Sequence, residues 1–109
     1  MSGSPPPNQA ATVNQTSSAL ANWNVKNVAT SSKLSFGTVE DQINNNRPMI
    51  AGITVSGSGH MYVIRGYYED TSDSTQDLYL IDPADGGYYF AHYSNFSPYW
   101  TASIYNTYV

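Results

Sequence analysis

The chain contains no cysteine. That excludes disulfides, thiolate-ligated metal centres and any thiol nucleophile within these residues. Charge is scarce as well. Asp, Glu, Lys and Arg make up 11% of the 109 residues, and the net charge is −4. A nucleic-acid partner calls for a basic footprint, so none is expected. No apolar run approaches the ~20 residues of a membrane-spanning helix, so no membrane partner is expected either. A leader of the secretory type is not visible at the N terminus. Met1-Ser2-Gly3-Ser4-Pro5-Pro6-Pro7 reads instead as an appended tail or a linker between domains.

Aromatic and small polar residues are abundant. There are ten tyrosines, together with many Ser, Thr, Asn and Gly. This mixture suits a β-rich, secreted or surface-exposed protein of bacterial type. The length fits one domain. Residues 1–15 are polar, with three successive prolines that exclude helix and central strand, and are expected to be a disordered linker or tail. Residues 16–109 are expected to form a single β-rich domain.

Within that domain Thr16 to Trp23 reads as a short helix, or as an extended segment that packs Leu20 and Trp23 on the core. Val25 to Leu34 reads as a short strand or arm. Thr38 is an N-cap candidate for a helix to Asn45, with Glu40 and Asp41 near its start and Phe36, Val39 and Ile43 facing the core. Pro48 prevents the helix from resuming. In the strand that follows, Met49, Ala51, Ile53 and Val55 share one face and Ile50, Gly52 and Thr54 the other. Apolar residues on both faces mark an interior strand. Ser56-Gly57-Ser58-Gly59 is a turn, His60 to Tyr67 a strand, and Glu69 to Asp77 an exposed loop. Leu78 to Ile81 returns as a strand, and Pro83 to Gly87 is a tight turn. Tyr88 to Tyr93 is a further strand, Ser94 to Pro98 a bend, and Trp100 to Tyr108 a last strand at the edge. The expected fold class is therefore α+β: a mainly antiparallel twisted sheet or half-barrel of about five strands, with one packed helix.

The His60 and Leu78 strands form a hairpin. A loop centred near residue 71 sets Ile64 opposite Leu78, Tyr62 opposite Leu80 and His60 opposite Asp82. Directly opposed side chains share a face, with Cβ atoms roughly 4.5–5.5 Å apart. A carboxylate at that spacing fixes the tautomer of an imidazole and stabilises its protonated form, leaving the other ring nitrogen to serve a nucleophile. A slip of one residue would separate the pair across the sheet. No serine, Ser56, Ser58 and Ser94 included, sits in a nucleophile elbow. A histidine at a strand start is ordinarily a surface residue, and Asp82-Pro83 also reads as a simple strand-ending turn. His92 lies in a tyrosine-rich strand without a carboxylate near it in sequence and reads as structural. His60, Asp82 and His92 match no tight ligand spacing, so neither a metal nor another cofactor is expected.

Three motifs in order, Arg47-Pro48-Met49-Ile50, Gly59-His60-Met61-Tyr62-Val63-Ile64-Arg65-Gly66-Tyr67 and Leu80-Ile81-Asp82-Pro83, resemble the C-terminal half of papain-like cysteine peptidases. They are most similar to the bacterial branch with staphopain-like, C39-like and AvrRpt2-like enzymes. The resemblance covers roughly Leu34 to Trp100. It implies that His60 stands at the catalytic histidine and Asp82 at the residue that orients it. The family's cysteine and its oxyanion-hole glutamine belong to an N-terminal half, and neither precedes His60 here. The implied function is the His/Asp-bearing half of a peptide-bond hydrolase, inactive alone, whose partners are the Cys-bearing half and a peptide or protein substrate. Both a shortened chain and a natural non-catalytic descendant fit this pattern. An unrelated tyrosine-rich β module that binds protein or carbohydrate is the alternative. A half standing alone must also expose its share of the cleft. Met61, Trp23 and Trp100, rimmed by Tyr93 and Tyr99, are the expected apolar surface around His60, covered by the N-terminal arm or by a second chain in a homodimer.

Overall fold

Six strands build one antiparallel sheet. The computed structural model describes residues 9–108, with side chains over 15–107. The strands are β1 (Lys26–Thr30), β2 (Met49–Val55), β3 (Ser58–Asp70), β4 (Thr75–Asp82), β5 (Gly87–His92) and β6 (Trp100–Tyr108). Their spatial order is β1-β6-β2-β3-β4-β5, and each neighbouring pair is antiparallel. The helices are α1 (Gln9–Asn22), α2 (Phe36–Asn44) and the single turn α3 (Tyr93–Phe96), which runs into a 3-10 turn at Ser97–Tyr99. The α+β class, the antiparallel sheet and the packed central helix are as expected; the sheet is open.

Each face of the sheet has its own apolar cluster. On one face Met49, Ala51, Ile64, Leu78 and Leu80 pack with Phe36 and Val39 of α2, Phe96 and Trp100. On the other, Ala102 and Ile104 of β6 pack with Leu20 of α1, Ala29, Ile50 and Met61. Burial on both faces places β6 inside the sheet, between β1 and β2, and not at the edge where the sequence reading put it. The short β1 forms that edge instead. At the α2–β6 contact the buried Gln42 exchanges two hydrogen bonds with Asn106: Nε2 donates to Oδ1 (2.6 Å) and Oε1 accepts from the backbone N–H (2.8 Å). A buried amide so paired is satisfied on both ends.

Several boundaries move for local reasons. Helix α1 begins at Gln9, within the stretch read as disordered; residues 1–8 lie outside the described residues. Leu20 reaches the core as expected, but Trp23 is 81% exposed. Helix α2 is capped by Ser35, not Thr38: the Ser35 hydroxyl accepts from the Thr38 N–H at 3.2 Å. Acidic residues favour a first turn, yet Glu40 and Asp41 come after it here, so they pointed to a start that was too late. Ser35→Ala is expected to destabilise the fold by about 1 kcal/mol, read as a shifted urea midpoint with an unchanged slope; no shift would remove the cap from the account. The polar residues Glu69, Asp70, Thr75, Gln76 and Asp77 are strand, not loop. They pair beyond the edge of the core, where neither face needs apolar side chains.

Candidate functional site

The site is assembled by two consecutive hairpins. The first joins β2 to β3 through Ser56 and Gly57, both at positive φ (51° and 81°). Such a two-residue loop matches the twist of the strands, and glycine takes the second position without steric cost. It sets His60 opposite Ile53, on the face that carries Met49 and Ala51.

The second hairpin brings the carboxylate. Ile64 faces Leu80, two residues from the partner expected. An offset of two preserves which face each side chain takes, so His60 and Asp82 stay together as diagonal neighbours. Nearer the loop the offset is three, with Tyr67 facing Leu78. Continued unchanged, that register would set Asp82 opposite Val63 and put the two groups on opposite faces. A β-bulge at Arg65 absorbs the extra residue and restores the parity. Gly66 beside it lies against Tyr79: a Cβ there would come within 3.3 Å of the Tyr79 ring.

His60 Nε2 lies 3.0 Å from Asp82 Oδ1, with the side chains 39% and 14% exposed. The Nε2 atom itself is buried, and its N–H does not line up with the oxygen. The contact is therefore a close electrostatic pair and not an aligned hydrogen bond. Asp82 Oδ1 also accepts from the Ala84 N–H at 2.9 Å, which pins the carboxylate in the turn. The Tyr62 ring meets the imidazole edge-on at 4.8 Å. Burial, reinforced by the charges of Asp82 and Asp85, pushes the Tyr62 phenol above its ordinary pKa, so it stays neutral.

Asp85 is the second acid of this corner. It accepts from the Gly87 N–H (2.7 Å) and the Tyr89 hydroxyl (2.8 Å), and these bonds hold its carboxyl below the ordinary 3.8. A depressed folded value gives stability above the ordinary carboxylate range that is lost as pH falls through that folded value. The Gly87 amide resonance is therefore expected to titrate with a midpoint below 3.8, and not in Asp85→Ala. A midpoint above that value would contradict the hydrogen-bonded turn.

Nearly the whole chain also aligns with a known family. The Peptidase_C39 like family matches residues 1–107. The chain belongs to that family. No curated protein matches it. The match runs upstream of the Leu34–Trp100 stretch on which the motifs rested, and so includes α1.

In this peptidase-related domain the other expected features lie elsewhere. Trp100 does not flank His60 in solvent; it is 3% exposed, in the core. Met61 points to the opposite face, beneath α1, because it neighbours His60 on an alternating strand. Trp23 follows α1, which packs on that opposite face. Tyr93 is half-buried, its hydroxyl donating to the Leu34 carbonyl at 2.7 Å, while Tyr99 is exposed. A cavity of about 570 Å³ is bounded by Leu20, Val25, Pro48, Ile50 and Val63 and does not include His60.

One feature of this family member escaped the sequence reading. His92 Nδ1 contacts Asp77 Oδ1, forming a second His–Asp pair. The residues are direct cross-strand partners of β4 and β5. The tight turn between Asp82 and Gly87 contained the signal: counting back evenly from it sets residue 77 against residue 92. None of Ser56, Ser58 and Ser94 is hydrogen-bonded to either histidine.

Proposed function

We propose that this domain is the His/Asp-bearing half of a papain-like cysteine peptidase of the staphopain-like and C39-like branch, and that it is inactive without a Cys-bearing half. In this reading His60 is the general base, and Asp82 orients it. The observation that carries the proposal is the contact His60 makes through one ring nitrogen: the buried Nε2 lies 3.0 Å from Asp82 Oδ1. A carboxylate on one nitrogen keeps the proton there and leaves the other able to take a proton from a nucleophile. The thiol that would give that proton is not among these residues. Family membership supports the same chemistry at the level of a peptidase-related domain.

The tautomer tests this. Imidazole nitrogen NMR of the folded protein is expected to find the neutral His60 ring protonated on Nε2, with Nδ1 bare. In Asp82→Ala that preference should relax towards a mixture of tautomers. A ring protonated on Nδ1 in the parent, or a preference indifferent to Asp82, would overturn the assigned roles.

A further inference from the structure

The two edges of the sheet are built differently. At β1, Lys26 and a bulge between Lys26 and Val28 interrupt the ladder, and α1 packs alongside. Charge, bulges and covering helices are the usual protections of an exposed edge. At β5 the ladder has no bulge, and the helix that packs with it is the single turn α3 that follows it in sequence. Gly87–His92 pairs with β4 through six consecutive residues without a bulge, and the strand contains no Lys, Arg, Asp, Glu or Pro. Among the described residues no strand lies beside its outer backbone groups. Tyr88, Tyr89 and Phe90 are 71%, 48% and 63% exposed.

We propose that β5 is a docking strand for a second copy of this chain, joined antiparallel to itself about Tyr89. Such pairing extends one sheet across two chains under a two-fold axis. It is self-complementary residue by residue. Tyr88 meets the partner's Phe90 on one face, and Tyr89 meets the partner's Tyr89 on the other. Aromatic cross-strand pairs are favourable, and like charges directly opposite are not. The chain is acidic overall, so a strand without carboxylates is where two copies approach with least repulsion. The adjacent cation, Arg65, lies over the rings of Tyr79 (5.4 Å) and Tyr88 (4.7 Å), on a strand two places in from the edge. Three aromatic side chains of ~150–250 Å² each, 48–71% exposed, supply a few hundred Å² per copy. That is short of the ~800 Å² per partner of a standard interface. The association is thus reversible and concentration-dependent. It does not depend on the peptidase reading.

The test is sedimentation equilibrium over a concentration series from ~10 µM to ~1 mM. The mean mass of the parent is expected to rise from 11.9 kDa towards twice that value. The variant Tyr88→Lys/Phe90→Lys, which opposes like charges across the axis, is expected to stay at one chain, with its circular dichroism unchanged. Val28→Lys, on the other edge, should associate like the parent. The cysteine-free background provides a second measurement that does not rely on that double variant folding. Under mild oxidation Tyr89→Cys is expected to form a covalent dimer far faster than Val28→Cys, because residues opposed about the axis lie within disulfide reach. A parent that remains one chain to ~1 mM, association undiminished in a folded Tyr88→Lys/Phe90→Lys, or equal cross-linking of the two cysteine variants would each overturn the proposal.

Discussion

Trp100→Ala is expected to cost about 3–5 kcal/mol, the range for truncating a buried tryptophan. A domain of this size holds ~5–15 kcal/mol in total, so the variant should be at or near the limit of folding. The indole packs edge-on against Phe96 (5.6 Å) and Tyr93 (6.3 Å), which joins α3 to the sheet. Its Nε1–H donates to the Ala102 carbonyl (2.9 Å) and to the Ser103 hydroxyl (2.8 Å). That hydroxyl donates in turn to the Ser32 carbonyl (2.7 Å), at the approach to α2. Truncation thus opens a cavity and also strips a donor from two buried acceptors. Trp100→Phe restores most of the volume but not the donor, so its cost should fall between those of the parent and Trp100→Ala. Urea unfolding followed by far-ultraviolet circular dichroism measures both; fluorescence would be confounded by the exposed Trp23. A loss below ~1 kcal/mol for Trp100→Ala would mean that the indole is not the keystone of this face.

Peptide hydrolysis by the purified chain is expected to stay at the uncatalysed rate, and His60→Ala to leave that rate unchanged. Peptidase chemistry requires an activated nucleophile, and in the proposed roles His60 and Asp82 would supply only a base and its orienting group. The accelerations at stake are large, typically at least ~10⁶-fold, so the measurement is unambiguous. A panel of fluorogenic peptides and a denatured protein substrate, assayed with rigorously purified protein, would decide it. Turnover that co-purifies with the chain and disappears in His60→Ala would show that a hydroxyl had taken the thiol's place, and the inactive-half reading would fall.

How much of this was legible can be seen at particular residues. The β2 strand was readable from its apolar residues, but the turn expected over Ser56-Gly57-Ser58-Gly59 is only Ser56 and Gly57, because Ser58 and Gly59 already pair with Val55 and Thr54. The approximate place of α2 was readable from Phe36, Val39 and Ile43, and its end from the asparagines that follow. The Ser35 cap was misassigned because Ser35 and Thr38 both have capping hydroxyls, and only the backbone shows which one stands outside the helix. The exposed patch around His60 was misjudged for another reason. Trp100 and Met61 are apolar whether they face solvent or core, and which face they take depends on strand neighbours far away in sequence.

The residue types alone determined that no thiol lies among these residues, and they marked the strands and the two groups, His60 and Asp82, that could work as a pair. Side-chain periodicity and functional-group chemistry are local, so they can be read one segment at a time. Only the tertiary structure decided that these two groups meet. The loop register by itself would have parted them across the sheet, and the bulge at Arg65 reverses that. Parity across a hairpin is a property of two strands together, set where packing of Ile64, Leu78 and Leu80 against α2 outweighs an unbroken ladder. The same holds for His92 beside Asp77, for β6 in the interior and for β5 as an edge, since an edge is defined only by what the rest of the chain leaves unpaired.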